Sequence, residues 1–276
     1  MTGEGNPQVG ARSEVHHSIE VWARAFVESP DLAYKCAPPP APRDFAPAFA
    51  PLRLCGPGRP PELEVVARAK KTPRPGALVR PEARARLLHT FWHHELQAAE
   101  LFAFALLAFP ETPESFRRGL LGILFEELGH MRLYAHELVR LGYRPGSFPV
   151  RDWFWRRVPG VASPASFLAL VGLGLEAANL DHATDFAAAL LAAGDPEAAA
   201  VEALVGREEE SHVAFARRWF EHFTGRPLDF AAWSAALPAP LTPLLFRGQP
   251  LDRAARARAG LDADFVGALA AWTPHS

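Results

Sequence analysis

Glu127-Leu-Gly-His130 and Glu209-Glu-Ser-His212 repeat one pattern, Glu-x-x-His, within two long stretches of helical periodicity. At a spacing of three, both side chains project from one helix face, so each stretch offers a carboxylate and an imidazole to the same point in space. A single copy means little, because Glu and His are ordinary helix residues. Here a Glu also stands upstream of each copy: Glu95 precedes Glu127 by 32 residues, and Glu176 precedes Glu209 by 33. Equivalent residues of the two copies lie 81 or 82 positions apart throughout. The chain thus carries two versions of one hairpin, each supplying Glu from its first helix and Glu-x-x-His from its second.

The flanking sequence sets the helix limits. The first helix is expected over residues 81–109, stopped by Pro110. Thr112, Ser163 and Asp195 each precede a Pro, and each is expected to cap the helix that this Pro begins. Those helices should end near Gly142, Gly194 and Gly225. Very short turns join the first helix to the second and the third to the fourth, which makes each pair antiparallel. Residues 143–162 between the pairs are long enough to cross from one end to the other. The expectation is an all-α fold whose residues 81–225 form a four-helix bundle, two antiparallel hairpins joined by a long crossover.

Residues 1–80 read differently. A short amphipathic helix is expected over 13–28, with Val15, Ile19, Trp22 and Phe26 on one face. Residues 36–61 are too Pro-rich for regular helix or central strand and should form an extended N-terminal arm, docked through Phe45, Phe49 and Leu52. Residues 226–276 read as a C-terminal tail of short helices (229–236, 251–259, 262–272) packed on the bundle.

Phase places the repeated residues inward. Glu95 falls in a seam with Phe91, Ala98 and Phe102; Glu127 and His130 fall between Ile123 and Tyr134. Glu176 lies between Leu173 and Leu180, and Glu209 and His212 lie between Val205 and Ala216. Four carboxylates buried together would repel one another and lose hydration, whereas two divalent cations would cancel their charge. The expected metal ligands are therefore Glu95, Glu127, His130, Glu176, Glu209 and His212, with Glu127 and Glu209 bridging and Glu95 and Glu176 terminal. The mixed oxygen and nitrogen set suits two iron ions, with manganese as the other fit.

Neighbouring residues carry weaker signals. Glu126 and Glu208 each lie four residues before a ligand His and could accept its second N–H; a solvated carboxylate is an equal reading. Tyr134, one turn beyond His130, reads first as a core aromatic and second as a redox neighbour. Glu100 and Asp181 also repeat, each five residues after the upstream Glu, which turns them about 140° away, toward packing rather than ligation. His89, His93 and His94 read chiefly as core or surface histidines. The aromatic segment Arg151-Asp-Trp-Phe-Trp-Arg-Arg157 fits a substrate mouth and an aromatic cover for the bundle end equally well. Gly172-Leu-Gly174-Leu-Glu-Ala177 spells a dinucleotide fingerprint but lies inside an apolar helix with no strand before it, so its glycines should permit close helix packing or leave space beside the metal.

Composition narrows the class. A net charge of −2 over 276 residues gives no electrostatic reason to expect nucleic acid. Cys36 and Cys55 are the only cysteines, without Cys-x-x-Cys, which leaves no thiolate metal site and points to a reducing, cytoplasmic setting. Residues 1–12 are polar with no apolar h-region after them, and no apolar run is long enough for a membrane span. A homodimer is compatible with these features.

The motifs His94-Glu-Leu-Gln-Ala-Ala-Glu100, Glu126-Glu-Leu-Gly-His130, Leu175-Glu-Ala-Ala-Asn-Leu-Asp181 and Glu208-Glu-Glu-Ser-His212 resemble those of the ferritin-like di-iron superfamily. Within it the chain is most similar to the group known as domain of unknown function 455. Residues 62–224 carry the resemblance, and the tail does not clearly share it. Relatives with the same ligand pattern include rubrerythrins, quinone hydroxylases, a tRNA hydroxylase and ribonucleotide reductase small subunits. The resemblance implies O₂ or peroxide chemistry at a dimetal centre, acting on a small-molecule substrate. The chain lacks the Cys-rich module of rubrerythrins, so electrons would come from a separate donor. Two other classes stay open at this point: metal handling or peroxide scavenging without an organic substrate, and a bundle whose metal is purely structural.

Overall fold

The computed structural model describes residues 17–68 and 72–274. Ten α-helices follow one another among these residues: α1 (Ile19–Glu28), α2 (Leu32–Cys36), α3 (Pro81–Ala108), α4 (Glu114–Arg140), α5 (Pro164–Leu170), α6 (Ala177–Ala192), α7 (Pro196–Thr224), α8 (Phe230–Ala236), α9 (Arg253–Arg258) and α10 (Ala263–Ala271). A π-helical turn, Val171–Glu176, links α5 to α6 without a break. The β structure among the described residues is an isolated parallel bridge between Val65 and Val150.

Local chemistry explains the helix ends. The Ser163 hydroxyl accepts the Ser166 amide, and the Asp195 carboxylate accepts that of Ala198. Pro164 and Pro196 open the first turns that these caps satisfy. At the far end of α7, Gly225 takes φ +69, a left-handed conformation that side chains resist. The expected Thr112 cap is corrected: Pro113 is the N-cap, and the Thr112 hydroxyl donates back to the Phe109 carbonyl at 2.7 Å. The turn after α3 is so short that Thr112 reaches an orphan carbonyl of the preceding helix more readily than an amide of the next. The first helix also starts later than the sequence predicts. Ser18 caps it through the Val21 amide, so Ile19, Trp22 and Phe26 form the buried face, while Val15 lies outside the described residues.

Helices α3 and α4 pack along each other, as do the 164–192 rod and α7, and α4 touches α7. The predicted seams are buried on all four. Glycine permits one close approach. A Cβ on Gly172 would stand 2.3 Å from the Ala216 Cβ, so the π turn lies directly against α7. The Gly172–Ala177 stretch is helical throughout, which agrees with the packing role the sequence indicates.

The arm and tail are tied to this frame by buried charge. Without ladder bonds, the arm docks through single contacts: the Leu52 amide to the Leu107 carbonyl, Gly58 to Val27, and Trp22 Nε1 to the Pro39 carbonyl. Beneath it, Glu100 receives Lys35 Nζ at 2.7 Å, both terminal nitrogens of Arg59, and Trp155 Nε1 at 2.8 Å. Asp181 does the same for the tail, accepting Arg256 through two bonds and the amides of Gly248 and Asp252. Glu100 and Asp181 therefore anchor the two terminal regions, a use that their position in the repeat did not reveal.

Candidate metal centre

Helices α3, α4 and α7 and the π turn bring six predicted side chains into one buried cluster. Its ligand atoms fall into two groups, each within 4.8 Å: Glu95, Glu127, His130 and Glu209; and Glu127, Glu176, Glu209 and His212. Glu127 and Glu209 belong to both groups, while Glu95 and Glu176 belong to one each. The shared carboxylates are fully buried, and the unshared ones keep 5% and 6% of their surface accessible. That small difference orients the cluster, because only the Glu95 and Glu176 side faces open space.

Each imidazole presents Nδ1 to the cluster. His130 Nδ1 lies 3.2 Å from Glu127 and 3.7 Å from Glu95. His212 Nδ1 lies 2.9 Å from Glu209 and 3.0 Å from Glu127 Oε1. The outer nitrogens are held by the half-exposed carboxylates, but crosswise: His130 Nε2 bonds Glu208 at 2.9 Å and His212 Nε2 bonds Glu126 at 2.7 Å. This corrects the expectation that each Glu serves the His on its own helix. Each ring spans the gap between α4 and α7, so its far nitrogen arrives beside the opposite helix. With Nε2–H donating outward, Nδ1 is the nitrogen that would give up its proton and offer a lone pair to a metal ion in the cluster.

Electrostatics fit a cation site. Burial drives the Glu95 carboxyl well above its usual range, the Glu127 charge adding to that effect while His130 opposes it. Burial, then the charges of Glu209 and Glu127, does the same to Glu176. Burial disfavours a charged His130, yet the carboxylates of Glu127 and Glu95 outweigh it and push the imidazole up to about 12. His212 moves in the same direction, with Glu209 and Glu127 overcoming burial. Burial would raise Glu127, but the two imidazoles hold it below the usual carboxylate range. Glu127 Oε1 is buried and lacks a hydrogen bond; its close approach to His212 has the distance of one but not the alignment. Four carboxylates, one of them with an orphaned oxygen, and two imidazole nitrogens are a donor set that two divalent cations would satisfy.

A cavity of about 440 Å³ reaches Glu95 and Glu176. Phe91, Leu175, Trp153 and Phe154 line it, with Leu245 from the tail and Val150 from the crossover. In the aromatic crossover segment, Trp153 and Phe154 line the cavity, and the Trp155 indole donates to buried Glu100. His94 is exposed, and its ring lies against Phe154 on the cavity wall. His89 accepts the Gly146 amide, and His93 lies between Gln97 and Asp152. None of the three joins the cluster.

Tyr134 is a buried aromatic on the cavity wall, and its hydroxyl donates to Glu202 at 2.7 Å. Burial, then Tyr134 easing it and Glu209 adding to it, leaves the Glu202 carboxyl at about 8. Sequence reasoning missed Glu202 and Asn179, whose Nδ2 lies 3.4 Å from Glu209. Spacing held the signal in both cases. Glu202 is two turns before Glu209 on one face, and Asn179 is one turn after Glu176.

Fold and site together define an all-helical protein with a buried Glu/His cluster able to hold metal. The chain belongs to the family described as protein of unknown function (DUF455), whose model matches residues 13–267. That match runs well beyond residues 62–224 and takes in the arm and most of the tail. No curated protein and no solved structure matches the chain. Among the described residues, no helix is long and apolar enough to cross a membrane.

Proposed function

We propose that the chain is a ferritin-like four-helix bundle holding two iron ions, or manganese in their place, and working as an oxidoreductase that uses O₂ or peroxide on a small organic substrate. The observation that carries this is the cavity of about 440 Å³ ending on Glu95 and Glu176. A site serving only to hold the bundle together needs no such space, and the volume lies in the range of small-molecule sites, ~300–1,000 Å³. Glu127 and Glu209 would bridge the ions, with Glu95 and His130 completing one site and Glu176 and His212 the other. Bound there, the ions would supply the redox chemistry that activates oxygen. The chain's own residues provide the rest. Glu208 and Glu126 fix the tautomers of the two histidines, the aromatic walls exclude water, and Glu202 fixes the direction of the Tyr134 hydroxyl. Cys36 and Cys55 are unpaired, which supports a cytoplasmic setting, and with two cysteines in all the chain cannot build a Cys-rich electron-transfer module, so electrons would come from a separate donor.

The test is to load the protein anaerobically with Fe(II), count iron per chain, and admit O₂ while following absorbance and Mössbauer spectra. About two ions per chain and rapid oxidation are expected on this donor set. Tens of iron atoms per chain would point to storage instead, and a site that never oxidises would point to a structural metal. Glu127→Ala and His212→Ala should each lose metal; either variant retaining both ions would overturn the ligand assignment.

A further inference from the structure

The crossover carries an excess of positive charge that its sequence conceals. Residues 151–157 contain Arg151, Arg156 and Arg157 with one carboxylate, Asp152. Asp152 turns inward, accepting Arg59 Nε at 2.9 and 3.0 Å and lying 3.4 Å from His93. Among the described residues, none of the three arginines has a carboxylate partner, whereas Arg59, Arg117, Arg140 and Arg256 all close on one. Arg151 lines the cavity. Arg157 lies 3.7 Å over the ring of Trp153, a wall residue, and donates to its carbonyl. Burial and then the like charges of Arg151 and Arg156 lower the Arg157 guanidinium from its ordinary value, with no carboxylate offsetting them.

One cavity is therefore lined by the unpaired guanidinium residue Arg151, by apolar Phe154, Phe91 and Leu175, and by Glu95 and Glu176 of the cluster. The guanidinium attracts an anionic head group and the apolar walls accept a hydrocarbon body, which favours one orientation for an amphiphilic guest. We propose that the substrate is a flat, apolar organic anion, its carboxylate or phosphate held by Arg151 with Arg157 beside it, and its body directed toward Glu95 and Glu176. This rests on the oxidoreductase reading above for the word substrate, though the binding itself does not need metal.

The experiment is calorimetric titration of the full-length protein, as purified and after metal removal, with naphthylacetate, naphthyl phosphate and the neutral naphthylacetamide. At least one anion should bind about tenfold or more tightly than the amide in both forms, as charge-assisted bonds to guanidinium are stronger than neutral ones. The tighter of the two anions identifies the head group. Arg151→Gln combined with Arg157→Gln should remove the preference while leaving amide affinity within about twofold, since the apolar walls remain. Equal binding of anions and amide, or a preference that survives the double substitution, would overturn the proposal. So would a preference that vanishes with the metal, because the anion would then sit on the ions. Binding in the metal-free protein is independent of O₂ reactivity, so this inference and the dimetal reading can fail separately.

Discussion

The crossed pairing of Glu126 with His212 and Glu208 with His130 makes a prediction that own-helix pairing would reverse. His212→Ala removes one metal site and should leave one ion held by Glu95, Glu127, His130 and Glu209. In that background Glu208→Ala takes away the carboxylate 2.9 Å from His130 Nε2. Glu126→Ala removes a side chain whose partner is already gone. Loss of such an outer partner typically weakens metal affinity by ~10–100-fold. Glu208 and Glu126 are 48% and 53% exposed, so water replaces part of their effect and the lower end is expected, about tenfold. Competition of Mn(II) binding against a chelator of known affinity measures it. Glu208→Ala should weaken the remaining ion about tenfold, and Glu126→Ala should change it by less than about twofold. The opposite result would show that each carboxylate serves its own helix, and would refute the geometric account of the ring spanning two helices.

Three further outcomes follow from the same structure. Asp181→Ala strands fully buried Arg256 and should cost ~3–5 kcal/mol in denaturant unfolding, much of it recovered by Asp181→Ala with Arg256→Met; a loss below ~1 kcal/mol would contradict the anchoring role. Gly172→Val must push α7 from the π turn, where even a Cβ would stand 2.3 Å from Ala216, and should destabilise by ~1–3 kcal/mol; an unchanged denaturation midpoint would refute the close contact. Burial raises the Cys36 thiol to about 11 while Cys55 is exposed, so iodoacetamide near neutral pH should label Cys55 first by mass spectrometry, and Cys36 should gain reactivity only as pH climbs toward about 11 or on unfolding. Equal labelling rates would place both thiols in solvent.

Most of the helical frame was legible in the chain, because a helix is a local object. The Ser163 and Asp195 caps, the Gly225 stop and the seams at spacing three or four depend on residues within a turn or two of one another. The six clustered side chains were legible for a related reason: a repeat of 81 or 82 residues reports two similar hairpins wherever they finally sit. Thr112 failed as a cap because two acceptable partners lay within its reach, and only the tightness of the turn chose between them.

What only tertiary structure decided concerns residues far apart in sequence whose partners are set by helix placement. Glu126 sits four residues from His130 and 86 from His212, and bonds the latter. Glu100 and Asp181 repeat like ligands, yet each compensates cations delivered by the arm or the tail, Lys35 and Arg59 on one side and Arg256 on the other. Asp152 sits among arginines in sequence and bonds Arg59 instead, leaving Arg151 on the cavity wall without a carboxylate partner among the described residues. Periodicity tells a side chain which face to occupy. Burial without a counter-charge is what forces it to find a partner, and which partner is near depends on how the helices, arm and tail are brought together.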